Sequence, residues 1–391
     1  MTLLFKPTAA VFSIFLGLTI WDSSLPTTKQ QDPVPAPITK KATQQKIQAA
    51  ILLDVSGSMD GLIEQAKAQL WNMVSVMGKA KCDAGAPQIE IALYEYGRSS
   101  NDMAKGYIKQ ISPFTSDLDK LSQELFKLVT NGGDEYCGQV ILTSLGDLTW
   151  SEGANDYKVI FIAGNEDFYQ GSVSWTKACE EARKKGVIVN TIYCGSKEMG
   201  IREHWNLVGE CGNGSFTNID QNAKDFNIPT PYDSVIYTLN YKLNGTYVGY
   251  GSAGLANVQR QSAMDEANFK MSTGAGMKRA AVKGKKELYN NAGWDLVDAY
   301  ETDKEAVKKV DVKTLPDSLK TKSREELTKI IETKANERAS IQKQIVETNA
   351  LREKFITAEK VKAATNNTQT LETEVEVIIR AQAKRFNMTI Q

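Results

Sequence analysis

The sequence predicts an α/β protein: a doubly wound, mostly parallel sheet with helices on both faces, followed by a helical C-terminal region. Two observations support this prediction. From residue 47 onward, strand-like apolar segments alternate with segments of helical periodicity, as in βαβ units. The segments 49–55 and 158–163 are apolar almost throughout, which is typical of strands buried on both faces of a sheet.

The predicted elements follow one another with short connections. Strands are expected at 49–55, 89–96, 106–111, 158–163 and 187–193, and helices at 62–77, 118–128, 136–146 and 173–185. The composition changes after the glycine-rich stretch 244–254. We therefore expect the α/β domain to occupy residues 47–250.

The chain beyond residue 256 is rich in charged and helix-forming residues, so 256–391 is expected to be a helical charged C-terminal region. Ser323 and Glu326 have the spacing of a capping box, which predicts a helix from there to about residue 362. Because its apolar stripe is only partial and lacks sustained heptads, we expect an antiparallel hairpin or a partner contact and not a long coiled coil. The tail after residue 366 fits either a short strand or a short helix.

The N-terminus predicts export. Residues 1–23 contain one lysine followed by an apolar stretch, which is typical of a signal peptide or a membrane anchor. Residues 24–46 are rich in Pro, Gln and Thr and are expected to form a flexible linker. The protein is therefore expected in the periplasm, at the cell surface or anchored to the membrane, with the N-terminal segment as its only membrane contact.

Composition excludes several function classes. Lys plus Arg and Asp plus Glu each number 47, so no net positive charge favours nucleic acid, and we expect no nucleic-acid partner. The single histidine, His204, argues against multi-histidine zinc sites. The cysteines lack C-x-x-C spacing, and their odd number leaves at least one thiol unpaired or paired between chains; they are Cys82, Cys137, Cys179, Cys194 and Cys211.

One motif has the chemistry of a cation site. Asp54, Ser56 and Ser58 form a D-x-S-x-S pattern directly after a predicted buried strand and just before a predicted helix. In an open α/β sheet, such loops at the carboxyl ends of strands bind ligands. One carboxylate and two hydroxyls suit a hard cation such as Mg²⁺, or alternatively Mn²⁺ or Ca²⁺, and leave coordination positions open. An acidic residue of a protein partner would complete the coordination. The alternative is a metal-free turn that caps the helix.

The segment DVSGSM resembles the metal-ion-dependent adhesion site (MIDAS) of von Willebrand factor type A (VWA) domains, and several other segments resemble a bacterial envelope subgroup of that family. The resemblance covers residues of about 47–240. It places the family's second and third site segments at residues 132–134 and 162–166. The family usually has Thr where this chain has Asp134, and it usually has Thr-Asp-Gly where this chain has Ala-Gly-Asn. We therefore expect Asp134 to add a carboxylate and Glu166, or alternatively Asp167, to replace the missing one.

The resemblance implies a non-enzymatic, cation-dependent protein-binding module for adhesion or assembly in the cell envelope. Two other functions stay open. One is a metal-dependent enzyme or enzyme-assembly factor, in which the ion activates water or is passed on. The other is a structural scaffold with a degenerate metal site, in which the helical region makes the contacts.

Overall fold

The computed structural model describes residues 44–83, 85–220, 228–362 and 371–390. The predicted signal peptide or anchor and nearly all of the predicted linker lie outside these residues. Within the described part of the chain, no helix is both long enough and apolar enough to cross a membrane.

A six-stranded sheet is the centre of the fold, and it confirms the predicted fold class. Its strand order is β4-β3-β1-β5-β6-β7, with every neighbouring pair parallel except β3 and β4. A separate two-stranded sheet joins β2 to β8. The strands are β1 Lys46–Asp54, β2 Ala80–Lys81, β3 Gln88–Tyr96, β4 Lys109–Thr115, β5 Tyr157–Gly164, β6 Ile188–Cys194, β7 Asn213–Ile219 and β8 Thr389–Ile390.

The edge strand β4 begins three residues later than the sequence predicts. Gly106 and Tyr107 both have left-handed backbone conformations, with φ of 74° and 58°. An extended strand cannot include such residues, so the chain first turns and then enters the sheet. The antiparallel edge strand is the one departure from an all-parallel sheet.

Helices lie on both faces of the sheet. The helices that follow the strands of the α/β part are α1 Asp60–Met77, α2 Leu118–Lys127, α3 Cys137–Asp147, α4 Trp175–Lys184, α5 Lys197–Arg202 and α6 Trp205–Cys211. The C-terminal helices are α7 Asp233–Asn244, α8 Gly254–Met271, α9 Thr273–Lys283, α10 Leu296–Thr302, α11 Ala306–Lys309, α12 Asp317–Lys320, α13 Arg324–Lys362 and α14 Leu371–Ala383.

Strand β1 is covered on both faces, which explains why residues 49–53 are all apolar. Ile51 and Leu53 belong to the core that contains α1, α2 and α14, whereas Ala50 and Leu52 belong to the core that contains α3, α4 and α6. Successive side chains of a strand point to opposite faces, and both faces of β1 are covered. The strand therefore has no position at which a solvated side chain is needed until it ends at Asp54.

The long helix α13 begins as the capping box predicts. The Ser323 amide donates to Glu326 Oε2 at 2.8 Å, and the Glu326 amide donates to Ser323 Oγ at 3.2 Å. The helix packs on α7, α9, α10 and α11 of its own chain. Its contacts include Arg338, which is fully buried against Asp295 and Asp298 of the α10 segment.

The C-terminal helix α14 completes one face of the sheet. Gln382 exchanges two amide hydrogen bonds with Asn190 of β6, at 3.1 and 2.7 Å, and accepts a third from the Tyr157 hydroxyl at 2.8 Å. The described residues from 44 onward accordingly form one compact unit. The expected division of that unit near residue 250 remains a prediction.

Candidate metal centre

Asp54 is the last residue of β1 and lies at the carboxyl end of the central strand. Its side chain is fully buried. One carboxylate oxygen, Oδ1, accepts a hydrogen bond from the Ser56 backbone amide at 2.7 Å. Among the described residues, neither the other oxygen, Oδ2, nor the buried Ser56 hydroxyl has a hydrogen-bond partner. Two oxygen atoms that could bind a metal ion are thus buried without hydrogen bonds. Burial of an unpaired polar group costs free energy, so this arrangement needs an explanation.

Burial raises the pKa of Asp54 to about 6, and the nearby charge of Glu166 contributes in the same direction. The hydrogen bond from Ser56 lowers the pKa but does not compensate. A carboxylate in this position therefore lacks the cationic neighbour that would normally stabilise its charge.

Glu135 is a second buried carboxylate beside Asp54, with 7% of its surface exposed. Burial, together with repulsion from the charges of Asp54, Glu166 and Asp134, raises the pKa of Glu135 to about 8. Its backbone amide donates to Gln170 Oε1 at 3.2 Å, which fixes the loop between α2 and α3 against the loop after β5. Two acidic side chains are therefore held close together at the carboxyl edge of the sheet.

Two glycines leave the space that Asp54 and Glu135 occupy. A Cβ on Gly97 would lie 2.9 Å from Asp54 Oδ1 and 3.0 Å from Glu135 Cγ. A Cβ on Gly164 would lie 3.0 Å from Asp54 Oδ2 and 2.5 Å from the Tyr96 hydroxyl. Any larger residue at either position would displace the carboxylates, so these glycines define the cavity around them.

Ser58 and Asn165 form the outer side of the same site. The Asn165 side-chain amide donates to Ser58 Oγ at 3.4 Å, and Asn165 Oδ1 is a further buried oxygen without a partner. Ser58 itself is exposed. Asn165 follows β5, so the first and third site segments of the resemblance meet at this contact.

The motif does not cap α1. The N-cap residue is Met59, and no side chain accepts a hydrogen bond at that position. Asp54 instead accepts from the amide two residues ahead, within the loop. The capped-turn alternative is therefore not supported by the hydrogen bonds of this loop.

Asp134 and Glu166 are placed differently from Asp54. Asp134 is exposed and accepts a hydrogen bond from the Tyr136 hydroxyl at 3.2 Å. Glu166 Oε2 accepts from Gln170 Nε2 at 3.2 Å, while its charge still reaches Asp54. The second buried carboxylate beside Asp54 is therefore that of Glu135, and the predicted ligand Asp134 lies one position earlier in the chain.

The donor set fits a hard cation. Within the described ranges, no group of three or more His, Cys, Asp or Glu side chains is arranged to hold a metal ion. The oxygens that the loops bring to this end of the sheet are instead of mixed type: two carboxylates, from Asp54 and Glu135, the hydroxyls of Ser56 and Ser58, and the amide oxygen of Asn165. Such hydroxyl, amide and carboxylate oxygens are the ligand types of Mg²⁺ and Ca²⁺.

Hydrogen bonds hold the loop after β5 in place from its far side. Trp205 Nε1 donates to the Glu166 carbonyl at 2.7 Å, and the Phe168 amide donates to the Glu203 carbonyl at 3.2 Å. His204 Nδ1 lies 3.0 Å from Asp167 Oδ1. The only histidine thus supports the loop that carries Asn165 and is not among the candidate ligands.

Glu135 and Asn165 were not predicted from the sequence. Two carboxylates, Asp134 and Glu135, directly follow Gly132 and Gly133. Which of their side chains points toward Asp54 depends on how this loop contacts the loop after β3. That contact is the hydrogen bond from the Ser99 amide to the Gly132 carbonyl, at 2.9 Å. A tertiary contact of this kind leaves no signal in a single sequence.

No protein-family model matches the sequence, and no curated protein matches it either. Among solved structures, the chain is similar to an aerotolerance-related membrane protein from Bacteroides fragilis, with 16% identity and a TM-score of 0.33 over 45% of this chain and 93% of that one. It is similar to BatB from Bacteroides thetaiotaomicron, with 16% identity and a TM-score of 0.35 over 56% and 99% of the two chains.

A third similar structure is proximal thread matrix protein 1 from the mussel byssus, described with a zinc-occupied MIDAS motif. The identity is 14% and the TM-score 0.33, over 45% of this chain and 42% of that one. All three identities are low, and the likeness concerns the fold alone.

The family resemblance implied a doubly wound sheet with D-x-S-x-S in the loop after its first strand. The sheet order, the helices on both faces and the position of Asp54 at the end of the central strand β1 agree with that expectation. Residues 46–219 of this chain form a doubly wound, mostly parallel α/β sheet of the kind that the resemblance to von Willebrand factor type A domains implied.

Proposed function

We propose that this protein is a divalent-cation-dependent protein-binding module of the cell envelope, which acts in adhesion or assembly and is not an enzyme. One observation carries the proposal: at the carboxyl end of β1, Asp54 Oδ2 and the Ser56 hydroxyl are buried and have no hydrogen-bond partner in the part of the chain that the structure describes. Oxygen donors in this state favour a cation as their missing partner.

The proposed ligands are Asp54, Ser56 and Ser58, with Glu135 as the second carboxylate. We propose that Glu135 has the role predicted from the sequence for Asp134, because Glu135 is buried next to Asp54 whereas Asp134 is exposed and accepts a hydrogen bond from Tyr136. The bound cation would supply a positive charge and open coordination positions toward solvent. Mg²⁺ is the first choice, with Mn²⁺ and Ca²⁺ as alternatives.

The proposed partner is a protein that offers an acidic residue to the cation. Two carboxylates from Asp54 and Glu135 already balance the charge of a divalent ion, so the attraction to an acidic partner is weaker than with one carboxylate. Exposed apolar side chains stand on loops and helices at the same end of the sheet and would add contact area. They are Met103, Val129, Tyr169, Met199 and Ile201.

The location in the cell envelope is proposed from the N-terminal sequence. Residues 9–21 are apolar, and Pro-, Gln- and Thr-rich residues follow them. A module that follows such a segment would be exported.

A capture experiment tests the function. The full chain is immobilised, and an envelope extract is passed over it in Mg²⁺ or in EDTA, with Asp54→Asn as the matched variant. We expect a defined protein to be retained only by the unchanged chain in Mg²⁺. Equal retention under all conditions would favour the scaffold function, whereas cation-dependent turnover of a substrate that is lost in Asp54→Asn would favour the enzyme.

A further inference from the structure

Two cysteines lie at the same helix contact, away from the candidate metal centre. Cys179 is on α4 and is buried, and Cys211 is the last residue of α6 and is partly buried. Both belong to the core on the α3, α4 and α6 face of the sheet, where α4 packs against α6. All five cysteines of the chain are free thiols in this structure.

The contact between α4 and α6 places Cys179 beside the last turn of α6. The Cys179 thiol donates to the Val208 carbonyl at 3.7 Å. That carbonyl also accepts from the Gly212 amide at 2.9 Å, so it points along the helix axis toward the end of α6. A helical carbonyl lies beside the residue three positions later, which here is Cys211. Cys179 therefore reaches α6 at the turn that carries Cys211.

The electrostatics of Cys179 agree with this geometry. Burial raises the pKa of the Cys179 thiol above its ordinary value, and the next contribution comes from the adjacent thiol of Cys211. Neighbouring thiols influence each other in this way only at short range. Cys211 is the more exposed of the two, so an oxidant reaches it first.

We propose that Cys179 and Cys211 are a thiol pair that a disulfide oxidant converts into a disulfide, which then braces α4 against α6. The chemistry is thiol–disulfide exchange. The Cys211 thiolate attacks the oxidant and releases one of its two thiols. The Cys179 thiolate then attacks the mixed disulfide and releases the second. The protein loses two electrons and two protons, and the oxidant is reduced to two thiols.

The other cysteines do not compete for this pairing. Cys137 and Cys194 are buried in cores on opposite faces of the sheet, and the Cys137 thiol contacts the Tyr96 hydroxyl at 3.7 Å. Cys82 lies near β2, in the core on the opposite face from Cys179. Among the described residues, the α4–α6 contact is therefore where an intramolecular bridge forms.

The brace would act on the loop that contributes to the candidate metal centre. Helix α6 begins at Trp205, whose Nε1 donates a hydrogen bond to the Glu166 carbonyl. The carbonyl of Glu203, two residues earlier, accepts a hydrogen bond from the Phe168 amide. A bridge at the other end of the seven-residue α6 restricts movement of this helix on α4. The loop that carries Asn165 is then held more rigidly.

The test is oxidation of the full chain with glutathione disulfide, followed by alkylation and peptide mass spectrometry. We expect a peptide pair joined through Cys179 and Cys211 that has lost two hydrogen atoms, and a melting temperature several degrees above that of the reduced protein. Hydrogen exchange at the Phe168 amide should slow in the oxidised protein, because its acceptor Glu203 is held with α6.

Two variants make the result decisive. Cys211→Ser changes the partly buried member, so it should fold, and it should lose both the bridge and the gain in melting temperature. Cys82→Ser is the control and should keep both. A disulfide that joins other cysteines, a dimer through Cys211, or unreacted Cys179 and Cys211 after complete oxidation of an exposed thiol peptide in the same tube would overturn the proposal.

Discussion

Two buried polar clusters of this protein differ in how their charges are balanced. At the contact of α2, α8 and α9, Arg279 is fully buried between Asp119 and Asp265, and Lys283 also donates to Asp265 at 2.8 Å. At the carboxyl end of β1, Asp54 and Glu135 are buried together, and no basic side chain of the described residues is ion-paired with either.

The pKa values respond in opposite directions. Burial by itself would raise the pKa of Asp265, but Lys283 and Arg279 hold it well below its usual range. Burial raises the pKa of Asp54 to about 6 and that of Glu135 to about 8. The charge of Asp54 also contributes to the raised pKa of Glu135. A buried charge that the chain neutralises serves the fold, whereas one that it leaves uncompensated points to a ligand.

The largest effect is expected in the neutralised cluster. Arg279→Met would leave Asp119 and Asp265 without their shared cation, so the free energy of unfolding should fall by about 3–5 kcal/mol. Urea unfolding measures this change. The control is Lys320→Met, which removes an exposed pair with Asp317 and should leave stability unchanged. Equal effects of the two substitutions would break the comparison.

The uncompensated cluster should make stability depend on pH in the absence of cations. The pKa values of Asp54 and Glu135 are raised above their ordinary values of 3.8 and 4.5 in the folded state. Their stabilising contribution is therefore complete below about pH 4 and is lost as the pH rises through about 6 and 8. We expect the native chain in EDTA to lose about 2–4 kcal/mol relative to an Asp54→Asn, Glu135→Gln double variant over this range. Parallel stability curves for the two proteins would contradict the proposed burial of both charges.

A smaller effect distinguishes two adjacent acidic residues. Glu135→Gln should weaken Mg²⁺ binding about tenfold, which corresponds to about 1.4 kcal/mol, because it removes a buried carboxylate beside Asp54. Asp134→Asn should change the affinity by less than about twofold, because that side chain is exposed and bonded to Tyr136. Titration calorimetry gives both affinities. The reverse order would assign the second carboxylate to Asp134.

Local sequence predicted much of the α/β part because its signals are local. The continuous apolar run of β1 predicts a buried strand from a few residues alone, and the capping box at Ser323 predicts a helix start in the same way. The edge strand was misplaced by three residues, because the left-handed turn at Gly106 and Tyr107 has no unambiguous sequence signature. Helix α14 was left open, since its place on the sheet depends on the distant partner Asn190.

The candidate centre divides in the same way. Asp54 and Ser56 were predicted because a short motif after a strand fixes where they lie. Glu135 and Asn165 were not, because their positions depend on contacts between separate loops, such as the bond from Asn165 to Ser58. The sequence motif thus predicted the candidate ligands that follow strand β1. The candidate ligands from other loops, Glu135 and Asn165, became apparent only in the structure.

The most direct test of the central claim is calorimetric titration of Mg²⁺ into the full chain, Asp54→Asn and Glu95→Gln. Glu95 is a matched control because it is equally buried but fully partnered by Arg98 and Asn101. We predict saturable binding to the native chain and to Glu95→Gln, and at least about a hundredfold weaker binding to Asp54→Asn. No binding to the native chain, or equal binding to Asp54→Asn, would contradict the proposal that this centre holds a cation.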